Sequence, residues 1–169
     1  KELDEEFKED FKKWNAIINR LTVRFKEPTL LFEPGKDILK NEFKIILNNF
    51  IPRYIKIINA EKYREVISEI RIEGHTSTDY KNLSLEAAYI ENMILSQNRA
   101  KSTLIHILRD IKGINHRKDW MRKYISSIGM SSSRFIKKQD GREDRDQSRR
   151  VEFRILLKTD EAVSKMKEL

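Results

Sequence analysis

Between Arg149 and Lys158 the chain alternates: Val151, Phe153, Ile155 and Leu157 fall on one side, Arg150, Glu152 and Arg154 on the other. Alternation with period two is the mark of a strand with one face buried and the other polar. Such a strand is not stable alone. It needs neighbouring strands and a layer of other elements over its apolar face.

The rest of the chain offers both. Leu21-Thr-Val-Arg-Phe25 alternates in the same way, as does Ser68 to Glu73, where Ile70 and Ile72 face inward and Gly74 closes the run. Helical periodicity fills the intervals. Asp37 to Ile58 places Leu39, Phe43, Ile46, Leu47 and Phe50 on one face, and Pro52 is expected to kink or end this helix because proline removes a backbone donor. Leu85 to Ile111 reads as a second long helix, with Ile90, Ile94, Leu104 and Leu108 among its apolar positions. Lys118 to Ile128 reads as a shorter helix ended by Gly129, and Arg134 to Lys137 as a weak strand. Turns are expected around Pro28 and at Pro34-Gly35, and Gln139 to Ser148 reads as a solvated polar connection.

At the start, Phe7, Phe11, Trp14, Ile18 and Leu21 recur in steps of three and four, which predicts a helix over Lys1 to Asn19. Its stripe either packs on the domain's own core, or pairs with a second copy or leads down from a membrane anchor. The order strand, helix, strand, helix, short helix, strand, strand predicts an α/β (α+β sandwich) fold. It is of β-α-β-α-β type, a mixed sheet covered on one face by helices, with an N-terminal helical extension. The boundaries read as 1–20 for an amphipathic linker helix, 21–158 for the domain and 159–169 for a C-terminal tail.

Composition narrows function less than fold. The chain has 169 residues, which suits one domain, and 35 basic against 27 acidic residues give a net charge of +8. That balance favours anionic partners, whether nucleic acid, anionic lipid or an acidic polymer such as cell wall. There is no cysteine, which removes disulfides, thiolate nucleophiles and zinc–thiolate sites. No apolar run reaches the roughly 18 residues of a membrane span. The chain begins at Lys1 rather than Met and reads as a fragment, with any anchor or signal lying upstream. The three histidines, His75, His106 and His116, show none of the close pairing with Asp, Glu or a second His that a metal site needs. No nucleophile elbow, P-loop or dinucleotide fingerprint occurs. The expectation is a binding domain, not an enzyme, with no metal and no cofactor.

Three segments carry more. Ile72-Glu-Gly-His-Thr-Ser77 ends a strand in a glycine turn with short polar side chains, at the carboxyl end where α/β sheets open crevices. Asn92-Met-Ile-Leu-Ser-Gln-Asn-Arg-Ala100 lies inside the second long helix, and Ser148-Arg-Arg-Val-Glu-Phe153 opens the last strand. Together they resemble the OmpA C-terminal family, which includes peptidoglycan-associated lipoproteins and the wall-binding domains of flagellar motor stators (MotB-like). The family pattern is G-H-T-D, then N-x-x-L-S-x-x-R-A, then N-R-R-V-E. It is matched by Gly74-His75-Thr76, by Asn92, Leu95, Ser96, Arg99 and Ala100, and by Arg149-Arg150-Val151-Glu152. Leu31-Phe32 with Gly35 and Leu39 resembles the family's opening F-x-x-G-x-x-x-L, and the likeness runs from Thr22 to Lys158. Asn82 to Ala88 imitates the helix motif but lacks its arginine.

The resemblance implies non-covalent binding of the peptidoglycan stem peptide through diaminopimelate. That ligand carries ammonium and carboxylate groups on one short side chain. Arg99 is then the carboxylate receptor, suited by its two-pronged donor geometry. The family acid is replaced by Ser77, with Asp79 two residues on. Three outcomes stay open: Asp79 takes the acid's role, Ser77 and backbone carbonyls receive the ammonium more weakly, or wall binding is lost. Arg149 is favoured over Arg150 because neighbours in a strand point to opposite faces. Thr78 and Asn92 offer hydrogen bonds at the rim, Phe32 and Leu95 serve as wall or core, and His75 is structural.

The implied setting is the periplasm or cell envelope, with tethering through an upstream helix. A homodimer and a stator-like membrane partner are expected, with no nucleic acid. Ser131 to Arg134 and Gly141 to Asp144 resemble a divergent branch of which some members serve antiphage-defence motors. Two other readings compete. One is a basic nucleic-acid-binding domain, which would show steep salt dependence. The other is an interaction module that kept the fold and lost the ligand.

Overall fold

The computed structural model describes residues 1–26, 31–80 and 82–158. The expected turn at Pro28 and the tail 159–169 lie outside them. Helix α1 (Glu2–Lys13) leads into a hairpin of β1 (Ala16–Asn19) and β2 (Thr22–Phe25). Helix α2 (Asn41–Ile58) precedes β3 (Ile67–His75), and the long α3 (Leu85–Arg109) follows it. A short α4 (Lys118–Tyr124), β4 (Ile125–Gly129) and β5 (Arg150–Leu157) complete the fold.

The five strands form one mixed sheet in the order β1-β2-β5-β3-β4, with β3 and β4 parallel and the other pairs antiparallel. Val23, Phe25, Ile70, Ile72, Val151, Phe153 and Ile155 turn one face to the helices, as alternation requires. The opposite face carries Arg24, Glu73, His75, Arg150, Glu152 and Arg154.

The core is aromatic at its centre. The Phe50 ring lies 5.0 Å from Phe7, 5.3 Å from both Phe25 and Phe153, and 4.8 Å from Tyr54, centroid to centroid. Phe7 and Phe11 of α1 are buried in this cluster, so the N-terminal stripe packs on the domain's own core. Arg53 of α2 fastens α1 from outside. It donates to Glu6 at 2.6 Å and Asp10 at 2.7 Å and lies 4.5 Å over the Phe7 ring.

Four expectations are corrected. The first helix stops at Lys13, because Asn15 takes a left-handed φ of 47° and turns Ala16 to Asn19 into strand β1. Pro52 does not end α2, which runs on to Ile58. Phe50, Ile51, Tyr54, Ile55 and Ile58 are all buried, and this burial outweighs the roughly 3 kcal/mol cost of an interior proline. Residues 125–129 are a strand, not the end of a helix, because they pair with β3. Arg134 to Lys137 contributes one bridge, Lys137 to Glu143, in a local hairpin rather than a strand of the sheet.

Helix α3 departs furthest from its apparent pattern. Ile90 and Ile94 are 57% and 48% exposed. Its buried face is Ala88, Asn92, Ser96, Arg99, Ala100, Thr103, His106 and Ile107. Two glycines make this possible. Gly74 and Gly129 face each other in register across β3 and β4, directly beneath Ser96 and Gln97. A Cβ on Gly74 would lie 2.2 Å from the Ser96 carbonyl oxygen, and one on Gly129 would lie 2.5 Å from the Gln97 nitrogen. The helix backbone therefore rests on the strand backbone, and small side chains line the contact.

Candidate functional site

The close approach of α3 to the sheet fixes where Asn92, Leu95 and Arg99 point. Ser96 accepts from the Ser131 amide at 3.0 Å and donates to the Met93 carbonyl at 2.9 Å. The chain leaving β3 stays paired with the one leaving β4: Met130 donates to the Gly74 carbonyl at 2.9 Å and Thr76 to the Ser131 carbonyl at 3.0 Å. Thr76 and Ser77 are thereby held beside the helix.

Between them opens a cleft of about 210 Å³, walled by Phe32, Pro34, Gly35, Thr76, Ser77, Asp79, Tyr80, Asn92, Leu95, Arg99 and Arg149. Seven of the eight residues singled out from the sequence meet there: Phe32, Ser77, Asp79, Asn92, Leu95, Arg99 and Arg149. Thr78 does not. Its amide donates to Glu143 at 3.0 Å and its hydroxyl to the same carboxylate, so it ties two loops together behind the cleft. Thr76 lines the cleft instead. It lay inside the strand-end motif, but nothing in the sequence marked its side chain as the one turned inward.

Arg99 is 7% exposed. Its Nε donates to the Lys36 carbonyl at 2.9 Å, and its guanidinium lies 4.9 Å over the Phe32 ring. No carboxylate of the described residues stands within ion-pair distance of it. Burial, with the nearby Arg149 charge, pushes its pKa down to about 10, so it remains a cation at neutral pH. Three buried polar atoms of the cleft residues have no hydrogen-bond partner in the protein: Thr76 Oγ1, Asn92 Nδ2 and Arg149 Nε. Buried polar groups are seldom left so. Two guanidinium groups, an amide donor and a hydroxyl thus share one small cleft, a set that receives carboxylate oxygens. Asp79 is the single carboxylate in the lining, and it pairs with Arg145 at 3.3 Å. Ser77 is buried in the wall beside it.

Arg150 turns to the other sheet face, as the alternation requires, and donates to Glu152 at 2.6 Å. There His75, Glu73 and Glu152 place their ligand atoms within 4.8 Å of one another, all buried. This corrects the expectation that no histidine closely pairs with an acid, as does His106, 3.0 Å from Asp110. The register that opposes Glu73 to Glu152 was not visible in one strand alone. The donor types suit a divalent cation, but the surroundings do not. Glu152 already accepts from Arg24 at 2.8 Å, Arg150 at 2.6 Å and Arg154 at 3.0 Å, and Arg154 Nε lies 3.0 Å from Glu73. Three arginines outnumber the two carboxylates before any metal is added. Burial opposes ionisation of Glu152, but Arg150, His75 and Arg24 outweigh it and hold the carboxyl at about 2. Burial pushes His75 below the ordinary histidine value against the pull of Glu73. The imidazole is therefore neutral at pH 7, with its Nε2 3.2 Å from Glu73.

No family model matches the chain. A curated relative does: Zorya protein ZorB of Escherichia coli (strain ATCC 8739) is 41% identical over 167 residues, covering 97% of this chain and 70% of that protein. The chain belongs to the ZorB family. Its ZorB-family fold is also that of several solved structures. The cell wall anchor of the T6SS from Pseudomonas aeruginosa superposes with a TM-score of 0.60 at 19% identity, over 92% of this chain and 97% of that one. A MotB-like protein from Desulfovibrio vulgaris gives 0.59 at 18% identity, over 93% of each chain. The periplasmic domain of Helicobacter pylori MotB gives 0.56 at 16% identity, over 90% of this chain and 87% of that one. The ZorB-family domain therefore has the OmpA-like, MotB-like fold that the three motifs implied.

Proposed function

We propose that this ZorB-family domain is a cell-wall anchor. It holds the stem peptide of peptidoglycan non-covalently through diaminopimelate and catalyses nothing. One observation carries the reading: a buried arginine without an acidic partner, Arg99, lines a small cleft together with three buried donor atoms that have no partner in the protein. Such a charge is stable only where an anion completes it or where carbonyls partly do, as those of Lys36 and Glu33 do here. A carboxylate on Arg99 and Arg149, with an ammonium toward Asp79, would engage every charged group in the lining. The likeness to a T6SS cell wall anchor and to MotB periplasmic domains supports the same reading.

The likeness to a ZorB protein and to MotB periplasmic domains supports a wider setting. In this reading the domain stands in the periplasm as part of a stator-like subunit of an antiphage-defence system. It is tethered to the inner membrane by a segment outside this sequence, and it works as a homodimer beside a membrane partner. Among the described residues no helix is long and apolar enough to cross a membrane.

The test is sedimentation with purified insoluble peptidoglycan. Wild type is expected to sediment. Arg99→Ala, checked for folding by circular dichroism, is expected to lose about 10- to 100-fold in affinity, the worth of a charge-assisted hydrogen bond. If wild type stays in solution, or if Arg99→Ala sediments equally well, the anchoring reading is wrong.

A further inference from the structure

Asp79 stands at the boundary of two cavities. On one side is the cleft of Arg99. On the other lies a wholly polar cavity of about 610 Å³, lined by Asp79, Lys138, Arg142, Glu143, Asp144, Arg145, Asp146 and Arg149. Arg145 reaches Asp79 across that boundary, Nη1 to Oδ2 at 3.3 Å. The pair is open to solvent, with the Arg145 side chain 58% exposed. Arg145 has another acid at hand, since Glu143 lies 4.0 Å from its Nε.

The backbone leading into Asp79 is held without Arg145. The preceding residue, Thr78, is fastened by both its amide and its hydroxyl to Glu143. Arg145 itself sits in a single-turn helix, Arg145–Ser148, capped by Asp144, which accepts from the Gln147 amide at 3.1 Å. The acid is thus held by one contact and the cation by another, and the link between them is the exposed, weak one. The adjoining cavity, lined by charged side chains, gives the guanidinium an open place to swing into.

Resting on the anchoring reading above, we propose that Arg145 is an internal stand-in for the ligand's ammonium group. In the unliganded domain it neutralises Asp79, and a ligand gains that carboxylate only by displacing it. The cleft then selects for ligands that carry an ammonium beside a carboxylate. A ligand with carboxylates alone meets Arg99 and Arg149 and leaves the Arg145–Asp79 pair intact. Arg145 is accordingly a specificity residue that lowers affinity for the ligand it helps to select.

The experiment compares two probes of equal length, meso-diaminopimelate and pimelate, the second lacking both amino groups. Each is titrated by NMR into wild type, Arg145→Ala and Arg145→Lys. Removing an exposed competing pair is expected to tighten diaminopimelate by about two- to five-fold, with Arg145→Lys intermediate and pimelate not tightened. Melting temperatures close to wild type check that the exposed substitutions leave the fold intact. Weaker diaminopimelate binding by Arg145→Ala, or an equal gain for both probes, overturns the proposal. The first would make Arg145 a support of Asp79, the second a source of general charge. If no variant binds diaminopimelate while wild type still sediments with the wall, this proposal fails alone. If wild type does neither, it falls together with the anchoring reading.

Discussion

The most exacting perturbation of this fold is a single methyl group at Gly74. Its Cβ would sit 2.2 Å from the carbonyl oxygen of Ser96 and 3.1 Å from the carbonyl carbon. A comfortable carbon–oxygen contact is about 3.3 Å, so the two backbones must separate by about 1 Å. Neither partner is a side chain free to rotate away: one is the inner strand β3, the other the middle of α3. A gap of that size forfeits roughly a quarter to a half of the dispersion energy along the contact. Overpacking of this kind costs about 1–3 kcal/mol. For a domain of this size Gly74→Ala should then lower the melting temperature by about 3–10 °C. Wall binding should fall further than stability does, because Arg99 rides on the displaced helix while its carbonyl partners at Lys36 and Glu33 do not. Gly113→Ala is the control: φ is +80°, no atom lies within 4 Å of the added carbon, and the residue is far from the cleft in the chain. It should cost about 1–2 kcal/mol of backbone strain and leave wall retention unchanged. If Gly74→Ala melts like wild type and sediments fully, the close approach of α3 does not position the cleft.

Other outcomes follow from the same geometry. Glu152→Gln leaves buried Arg150 without its ion-pair partner and should destabilise the domain by about 3–5 kcal/mol in urea unfolding. Because the Glu152 carboxyl is depressed to about 2, its contribution is fully present above the unfolded value near 4.5 and is lost as pH falls toward 2. Stability measured against pH should decline through that window, and less steeply in Glu152→Gln. Phe32→Leu keeps an apolar wall but removes the ring beneath Arg99. It should weaken wall binding by about two- to five-fold, read by sedimentation, with little change in far-UV circular dichroism.

The sheet and the cleft were legible in the sequence for different reasons. Strands β2, β3 and β5 each turn one apolar face to the helices and a polar one away, so their side chains alternate in character. The cleft was legible because Asn92, Arg99 and Arg149 fall within short motifs that resemble those of a known family, whereas Thr76 was passed over for Thr78. Strand β4 was not. Met121, Ile125 and Ile128 recur at helical spacing, and only pairing with β3 makes Ile125 to Gly129 extended. The buried face of α3 was hidden for a related reason. Asn92, Ser96, Arg99 and Thr103 are polar, so a search for apolar periodicity finds Ile90 and Ile94, which face outward. The segment Gln139 to Ser148 read as mere solvated connection. Its charges turned out to reach Thr78 and Asp79, a cross-chain arrangement that local composition does not encode.

The placement of the cleft has a mechanical consequence. Thr76 and Ser77 follow the end of β3, and Arg149 precedes the start of β5, so the cleft hangs from one end of the central antiparallel pair. Lys1, Ile67 and Leu157 gather around a groove at the other end. The nine residues of β3 separate the two poles by about 30 Å. A pull between the N-terminal end and a ligand in the cleft runs along the strands. It loads the hydrogen bonds between strands side by side, in shear, so that many must break together before the sheet parts. The same bonds pulled from the cleft end alone would open one after another, like a zip.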